Sequence, residues 1–507
     1  RVRVAFVADR PITGMMFSTD PASPWAATDH ETERARYWLP CVDHPSVRTT
    51  LDLTVRAATG LTILANGLLI DDEDHGDGSH SARWVLEELC PAYLLCLAVG
   101  AFVRAEGGSV GGREIAFFAP APFTEADLQR SFGPTAAMME WMQGRLRTPF
   151  PYPKYFQFAA PGIGGAMENI SLVSWDAAWV ADPLFRAELG WLLDLVNLHE
   201  MAHSYFGDAV VCRDFSHTWL KESWATYMES VWLESVQGAD ARDFQLHEER
   251  VAYFDEADSR YTRPIVTRTF DSSWDMFDRH LYPGGAVRLH ALRRLLGDED
   301  FWAGVATYLQ RYSGQVAETD DFRRILEEQS GRSLTRFFDQ WLRAPGYPKL
   351  EATYTHDARQ GLVTLVIEQK QVDAGKGIGL FDLPLVVALR DADGVWSRRT
   401  VEVSEARTSV AIPSTAAPTQ VVLDPDGDLV IGQTLQPGDD LLLATLTDGP
   451  SMAARIQAVL QLAAKPTRKR VAALEAASRA APFWGLRLVI ARAERRQSII
   501  RAASNDW

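Results

Sequence analysis

The pattern of apolar and polar residues along the chain predicts two β-rich and two helical regions. From the beginning to about residue 118, short segments alternate polar and apolar residues, as in 50–55, and clusters of turn-forming residues separate them. This alternation predicts β-strands. Between about 119 and 349, apolar residues recur every three or four positions over long stretches, notably 189–206 and 218–235. That spacing predicts helices, so a β-rich region precedes a helical one.

The rest of the chain repeats this order. Short strand-like runs separated by turns extend from 350 to about 437, after Gly346-Tyr347-Pro348 marks a boundary. The stretch from 438 to 507 is rich in Ala, Leu and Arg, which predicts short helices. The sequence therefore predicts a multidomain α+β protein with four regions, at 1–118, 119–349, 350–437 and 438–507.

Composition and charge narrow the classes of protein that remain. Of the 507 residues, 47% are hydrophobic and 23% are charged, which is typical of a globular chain and excludes a disordered or fibrous one. The net charge of −16 argues against nucleic acid or a membrane as the main partner, because nucleic acids and anionic membranes attract basic surfaces. The longest apolar run, 89–103, contains Pro91 and is too short to span a bilayer.

The cysteines carry information about the compartment. The four cysteines include no C-x-x-C pair, so the sequence predicts neither a disulfide framework nor a cysteine-based zinc site. This usage fits a reducing compartment, and no secretory signal peptide is recognisable. We therefore expect a cytoplasmic protein.

An H-E-x-x-H sequence at 199–203 predicts a metal site. On a helix the first and fifth positions share a face, so His199 and His203 can reach one ion. Catalytic zinc takes three protein ligands and leaves one position for water, and Glu222, nineteen residues after His203, completes a His₂Glu set. Glu200 would then act as the general base. The alternative is a helix with two satisfied histidines and a solvated carboxylate.

The residues around this motif resemble a known family. Gly165-Ala166-Met167-Glu168-Asn169 precedes the H-E-x-x-H, and the combination with Glu222 resembles the M1 (gluzincin) zinc aminopeptidases. The segments 36–45, 148–155 and 341–348 are also similar to family sequences, the second especially to the leukotriene A4 hydrolase branch. The likeness covers roughly residues 1 to 430.

The resemblance implies a fold and a cofactor. It implies a saddle-like N-terminal β-sheet domain, a thermolysin-like, mainly helical zinc catalytic domain, a β-sandwich and a short C-terminal α-helical segment. It also implies one Zn²⁺ per chain, bound by the ligands named above. Compared with the family, we expect the N-terminal domain to lack its first strands and the C-terminal domain to be truncated, which would leave a more open cleft.

The resemblance also assigns substrate-binding residues. Glu168 corresponds to the glutamate that binds the substrate's free α-ammonium, and a gap-free count places Glu31 as a second anchor, with Asp29 near it. The backbone at Gly164 and Gly165 would pair with the substrate as an added strand. The remaining residues of the motif belong to the same predicted subsite: Ala166, Met167 and Asn169.

Tyr282 corresponds to the family tyrosine that stabilises the tetrahedral oxyanion. Its alternative is a buried tyrosine of the core. Glu229 lies on the same predicted helix face as Glu222, and it either orients a ligating histidine or has a structural or solvated role. Three further histidines lack ligand spacing and are predicted to be structural or at the surface: His217, His280 and His290.

The sequence departs from the family pattern at two places, next to Glu222 and next to Tyr282. The family's N-E-G around the third ligand is Lys221-Glu222-Ser223 here, which we expect to be tolerated because the ligand itself is present. The family's Y-x-K-G is Tyr282-Pro283-Gly284-Gly285, so the lysine that follows the tyrosine in the family is absent here.

The sequence therefore predicts a zinc-dependent metallo-aminopeptidase that hydrolyses the N-terminal bond of peptides with a free N-terminus. One alternative is a bifunctional epoxide hydrolase/aminopeptidase, which would need a lipid-shaped pocket. The other is a catalytically inactive peptide-binding or scaffold protein on the same fold, which would have no need to keep the complete set of ligands. An endopeptidase is disfavoured because it has no use for an amine-binding glutamate. The side-chain preference and the oligomeric state are not predicted.

Overall fold

The structure, a computed structural model, describes residues 3–504, with side-chain surroundings up to residue 495. Residues 1–2 and 505–507, which belong to the predicted first and last regions, lie outside the described residues. The described chain is a mixed α+β protein with several sheets, as predicted. Its contacts divide it into two compact units. The first contains the chain up to 229 with 266–281 and 296–334, and the second contains 230–265, 282–295 and the chain from 335 onwards.

The strands in chain order are β1 (Met15–Phe17), β2 (Trp25–Thr28), β3 (Arg48–Ala58), β4 (Thr62–Ala65), β5 (Leu68–Asp74), β6 (Ser79–Pro91), β7 (Leu97–Gly100), β8 (Phe102–Val110), β9 (Arg113–Pro120), β10 (Lys154–Ala160), β11 (Ala166–Met167), β12 (Leu172–Asp176), β13 (Val210–Cys212), β14 (Gln315–Ala317), β15 (Lys349–Asp357), β16 (Leu362–Gln369), β17 (Leu383–Arg390), β18 (Trp396–Val403), β19 (Arg407–Pro413), β20 (Gln420–Leu423) and β21 (Gly432–Leu435).

The α-helices in chain order are α1 (Glu125–Phe132), α2 (Thr135–Leu146), α3 (Pro183–His203), α4 (Glu222–Gln237), α5 (Ala239–Ser259), α6 (Tyr282–Leu296), α7 (Asp298–Tyr312), α8 (Thr319–Ser330), α9 (Thr335–Phe338), α10 (Asp439–Asp448), α11 (Met452–Ala464), α12 (Arg468–Ala480) and α13 (Trp484–Ser504). None of the helices within residues 3–504 has an apolar stretch of the length that a membrane span requires.

The N-terminal part of the first unit consists of two antiparallel sheets. One has the strand order β1-β2-β7-β4 and the other the order β3-β6-β5. The pair β3 and β6 is long, and the exposure of β3 alternates over most of its length, as the alternating sequence predicts. The apolar faces of the two sheets belong to a buried cluster that also contains residues of β9, β10 and β12. The two N-terminal sheets therefore share a core with the sheet that follows.

A five-stranded sheet with the order β11-β12-β10-β9-β8 supports the site. Strand β10 is parallel to both β9 and β12, and all of its residues are buried, as is typical of a strand covered on both faces. The short strand β11 pairs antiparallel with β12 at the edge of the sheet. The predicted boundary between residues 118 and 119 falls within β9, which pairs with β8 on one side and with β10 on the other.

Helix α3 carries the H-E-x-x-H sequence in its last turns. Its N-terminus is capped by Asp182, whose side chain accepts a hydrogen bond of 2.7 Å from the backbone N–H of Phe185. Pro183 takes the first helical position, where its missing N–H costs nothing. Apolar residues such as Leu193 and Leu198 are buried along the helix. The cap and the buried face together fix the direction in which the motif points.

The second unit contains two sheets and most of the remaining helices. The sheets have the orders β19-β16-β15-β21 and β18-β17-β20. Strand β16 presents an alternating buried face with Val363, Leu365 and Ile367. These are the strands of the predicted sandwich region. Helices α10 to α13 bury apolar residues in a common cluster with Phe244 of α5.

Candidate metal and substrate site

Three side chains of the first unit converge as a metal site requires. His199 and His203 lie on one face of α3, and Glu222 is the first residue of α4. Glu222 Oε2 lies 3.5 Å from His199 Nε2 and 3.3 Å from His203 Nε2. One ligand atom from each residue lies within 4.8 Å of the other two. Two imidazole nitrogens and one carboxylate oxygen are a donor set that suits zinc.

The far sides of both imidazoles are hydrogen-bonded. His199 Nδ1 donates to Glu229 Oε1 over 2.8 Å, and His203 Nδ1 donates to the carbonyl oxygen of Phe206 over 3.0 Å. With Nδ1 as the donor, Nε2 is the nitrogen of each neutral imidazole that could bind an ion, and both Nε2 atoms face Glu222. Of the two roles left open for Glu229, the structure shows the orienting contact.

Glu200 lies between the two histidines in sequence and is almost fully buried. Its Oε2 atom has no hydrogen-bond partner among the described residues. Burial raises the pKa of Glu200 to about 7, against the opposing effect of the neighbouring imidazoles. A carboxyl group with this pKa can accept and return a proton near neutral pH.

The pKa of Glu222 is shifted in the direction opposite to that of Glu200, because neighbouring cations dominate. Burial raises the pKa of Glu222, but Lys221 and the histidines outweigh it and hold the pKa well below its usual value. Glu222 is therefore a carboxylate, which is the form that binds a metal ion.

A second cluster of buried carboxyl groups lies beside the metal ligands. Glu31 comes from the loop after β2 and Glu168 from the loop after β11, and both are buried. Glu168 Oε1 lies 3.9 Å from His203 Nδ1. Oxygens of Glu31, Glu168 and Glu222 lie within 4.8 Å of one another. The two glutamates predicted to bind the substrate amine therefore meet, although 136 other residues separate them in the chain.

Lys221 supplies the cation at the centre of this cluster. Its Nζ atom donates to Glu31 Oε1 over 2.5 Å and to Glu168 Oε1, and it forms an ion pair of 3.0 Å with Glu222 Oε1. The Lys221 side chain has no solvent exposure. Burial lowers its pKa, but the three carboxylates outweigh burial and hold the pKa well above its usual value. No role is predicted for Lys221 from the sequence.

One ammonium does not neutralise three carboxyl groups. Burial raises the pKa of Glu31 well above its usual value, against the effect of Lys221. The pKa of Glu168 is also raised by burial, but Lys221 and His203 bring it below its usual value. Asp29, predicted to lie near Glu31, forms its own ion pair of 2.8 Å with Arg34.

The backbone before Glu168 forms an open edge. Gly164 and Gly165 have φ angles of +79° and +101°, and no atom lies within 4 Å of the position that a Cβ would take in either. The N–H of Gly164 donates to Asp176 Oδ2 over 3.0 Å, and the carbonyl oxygen of Gly165 accepts a bond of 2.7 Å from Asp176 N–H. Asp176 thus fixes the loop, and Ala166 and Met167 form the edge strand β11.

The remaining predicted residues have separate positions. Asn169 is fully buried, and its amide donates to the carbonyl oxygen of Met167 and to Ser174 Oγ, so it braces the loop. Tyr282 is the first residue of α6 and belongs to the second unit, so its part in the site stays a prediction. His217 is buried and hydrogen-bonded to Thr319 Oγ1 at 2.9 Å, which is a structural contact.

Family models match most of the chain. The model of the Peptidase family M1 domain matches residues 130–341, and the model of the Peptidase M1 N-terminal domain matches residues 3–94. The described fold carries a donor set of the H-E-x-x-H kind. The chain belongs to peptidase family M1. The comparisons do not distinguish the leukotriene A4 hydrolase branch, and that part of the resemblance stays a prediction.

Several curated proteins are similar to this chain. Aminopeptidase N of Lactococcus lactis subsp. cremoris (strain MG1363) is 27% identical over 423 residues, which are 80% of this chain and 49% of that protein. Puromycin-sensitive aminopeptidase of Caenorhabditis elegans is 27% identical over 357 residues, 68% of this chain and 37% of that protein. The chain spans about half, or less, of the length of these relatives.

The fold is also similar to a solved structure. The crystal structure of Legionella pneumophila aminopeptidase A in complex with aspartic acid matches with a TM-score of 0.81 and 20% identity. The match covers 97% of this chain and 60% of the other chain. At this identity the similarity shows the fold.

Proposed function

We propose that the protein is a zinc-dependent aminopeptidase, which hydrolyses the N-terminal peptide bond of peptides with a free N-terminus. The observation that carries the proposal is the position of the carboxyl cluster of Glu31 and Glu168 directly beside the His₂Glu donor set. A pocket that holds an ammonium group so close to a metal site selects the first peptide bond for hydrolysis.

The residues present fit zinc. Their donor atoms converge, and the contacts to Glu229 and Phe206 set the histidine tautomers that a metal needs. When bound, Zn²⁺ supplies a Lewis acid that polarises the scissile carbonyl and lowers the pKa of a coordinated water. Zn²⁺ would be held by His199, His203 and Glu222, one ion per chain.

Glu200 handles the proton. Its side chain is buried beside the ligands, and its Oε2 atom lacks a partner among the described residues, so it is available to a water molecule. With a pKa of about 7, Glu200 takes the proton of the attacking water and passes it to the leaving amine.

The carboxyl cluster and the edge strand position the substrate. Glu168 and Glu31 bind the α-ammonium through charge-assisted hydrogen bonds. The backbone of β11 has no second neighbour within its five-stranded sheet, so a peptide can add to it as an extra strand. The glycines at 164 and 165 allow the peptide backbone to come close.

We expect Tyr282 to donate its hydroxyl to the oxyanion that develops on the scissile carbonyl. Supporting this role, Leu281 precedes Tyr282 in the chain, and its carbonyl oxygen accepts a bond of 2.6 Å from Ser223, the neighbour of Glu222.

The test is to identify the products from a panel of unmodified peptides and their N-acetylated copies by mass spectrometry, with zinc content measured in parallel. Release of single N-terminal residues from the unmodified peptides supports the proposal. E168Q should reduce this release, while E140Q, which changes an exposed glutamate of α2, should not.

Two outcomes contradict the proposal. Internal cleavage of both kinds of peptide would indicate an endopeptidase. Absence of any cleavage, by protein that binds one zinc per chain, would favour the peptide-binding scaffold.

A further inference from the structure

The amine-binding cluster already contains an ammonium group of the chain itself. Lys221 Nζ lies 2.5 Å from Glu31 Oε1 and also bonds to Glu168 Oε1. These are the same two carboxyl groups that the proposed function assigns to the substrate's α-ammonium. A lysine ammonium and an α-ammonium each carry one positive charge and three N–H donors.

We propose that Lys221 is a specificity-determining residue whose ammonium occupies the subsite of the substrate's α-ammonium and competes with it. This inference rests on the function proposed above. Its consequence is that the protein binds free N-termini more weakly than the two carboxyl groups alone would allow.

The ammonium of Lys221 is engaged by carboxyl groups of the cluster. It donates hydrogen bonds to Glu31 and Glu168 and forms an ion pair of 3.0 Å with Glu222 Oε1. In the arrangement seen, the charge of Lys221 is therefore directed at the chain's own carboxyl groups.

The pocket holds the lysine stem as well as its charge. The Nζ atom lies 5.4 Å from the ring centre of Tyr93 and 5.6 Å from that of Phe277, within the range of cation–π contacts. Gly207, with φ of +124°, lies against the stem, because a Cβ at this position would be 3.0 Å from Lys221 Cβ. The turn before α4 is fixed by Trp219 Nε1, which donates to Thr319 Oγ1 over 2.8 Å.

Because Lys221 is part of the chain, its ammonium lowers the apparent affinity of the subsite for the substrate's α-ammonium. The local concentration of a tethered group is in the millimolar range or above, so Lys221 competes with any substrate at a lower concentration. The apparent dissociation constant of the substrate rises by the inverse of the fraction of time that the subsite is free. A shorter, neutral residue at 221, such as the asparagine of the family pattern, would leave the subsite free.

The experiment compares wild-type protein with K221N and K221M. The substrates are leucyl arylamide and its des-amino analogue, 4-methylpentanoyl arylamide, which differ only in the α-ammonium. A second readout, independent of turnover, is calorimetric binding of leucinamide to the zinc-depleted protein. K154M is the matched control, because Lys154 is a buried lysine that bonds to Ala65 O and lies outside the cluster.

We expect K221N and K221M to lower KM for leucyl arylamide by about tenfold or more and to leave KM for the des-amino analogue unchanged. The dissociation constant of leucinamide should fall by a similar factor. K154M should leave the ratio between the two substrates at its wild-type value.

Folded K221N protein with an unchanged leucinamide affinity would overturn the inference, as would an equal gain in K154M. If neither wild type nor variants hydrolyse any substrate, the proposed function fails, while leucinamide binding still decides the role of Lys221.

If both variants fail to fold, the test is the ratio between the dissociation constants of wild-type protein for 4-methylpentanamide and leucinamide. A ratio below about tenfold supports competition by Lys221, because two free charge-assisted bonds would give a larger ratio. A larger ratio overturns it.

Discussion

Glutamates with different surroundings have different tasks in this site. The cations around Glu222 hold its pKa well below the usual value and keep it a metal-binding carboxylate. Burial instead raises the pKa of Glu200 to about 7, which suits proton transfer. Glu229 accepts a hydrogen bond from His199, a contact that suits orientation of that ring. Residue type alone does not separate these roles, because position and neighbouring charge set them.

Replacing Glu200 by glutamine removes the proton acceptor and keeps the size of the side chain. We expect E200Q to lower kcat by about 10²–10⁴-fold, the usual contribution of a general base, with zinc content unchanged. Steady-state kinetics with zinc analysis on the same sample measures both quantities. Full activity in E200Q would show that another group accepts the proton.

Replacing Glu229 tests whether it orients His199. We expect E229Q to weaken zinc affinity by about 10–100-fold, since partners of ligating histidines typically contribute this much. Competition with a chelator of known affinity measures the zinc dissociation constant. E140Q, at an exposed helix position, serves as the control. Equal zinc affinities in E229Q and wild type would mean that the contact is only structural.

The spacing of His199, Glu200 and His203 was sufficient to predict which side chains share a helix face. Glu222 was found by its distance in sequence and by family resemblance. The contact of Lys221 with Glu31 is not predictable from the sequence, because 190 positions separate the two residues and a pattern read along the chain does not show such contacts. The sequence does contain a signal, because Lys221 directly follows Trp219 and Leu220, and a lysine buried among apolar residues needs a counter-charge.

Two helices and the turns around them build the site. The sequence predicted helices over 189–206 and 218–235, while the structure has α3 at Pro183–His203 and α4 at Glu222–Gln237. The earlier start of α3 follows from Asp182 and Pro183, a cap signal that apolar spacing does not reveal. The stretch Phe215–Leu220 forms a 3₁₀ turn, so the helix begins at the ligand.

An aromatic stack fixes α4 against the turn after α3. Phe206 and Trp224 are stacked, with ring centres 4.4 Å apart and planes at 1°, and Phe301 lies 5.7 Å from Trp224 on α7. Trp224 is fully buried. Because Trp224 is two residues from Glu222, this packing also helps to set the position of the third ligand.

Truncating Trp224 should destabilise the first unit. We expect W224A to cost about 3–5 kcal/mol in the free energy of unfolding, the usual loss for a buried aromatic residue. W224F should cost only about 1–2 kcal/mol, because Trp224 Nε1 has no acceptor among the described residues and its loss breaks no hydrogen bond. Urea unfolding measures both, and equal losses in the two variants would contradict this account of the packing.

At the scale of the whole molecule, the composition and the order of strands and helices were enough to predict a multidomain α+β chain. The predicted boundary at residue 118 cuts through β9, because the parallel pairing of β9 with β10 joins residues on both sides of it. Long-range strand pairing of this kind is set by the tertiary fold, and it leaves no local mark in a sequence read from turn to turn.

The metal should stabilise the folded protein as a whole. Because the three ligands come together only in the folded chain, zinc binds the native state and raises the melting temperature. At a zinc concentration 1,000 times the Kd this linkage is worth about 4 kcal/mol. Thermal unfolding scans with chelator and after return of zinc measure this change in the melting temperature. An unchanged Tm after confirmed loss of the metal would contradict a metal site within the fold.

The most direct measurement is the hydrolysis of leucyl arylamide and its N-acetyl form by wild-type protein before chelation, after chelation and after return of one zinc per chain. We expect the free-amine substrate to be cleaved more efficiently than the acetylated one. Chelation should abolish this cleavage, and zinc should restore it. Two results would contradict a zinc-dependent aminopeptidase. One is cleavage that survives verified removal of zinc, and the other is equal cleavage of both substrates by wild type and by K221N.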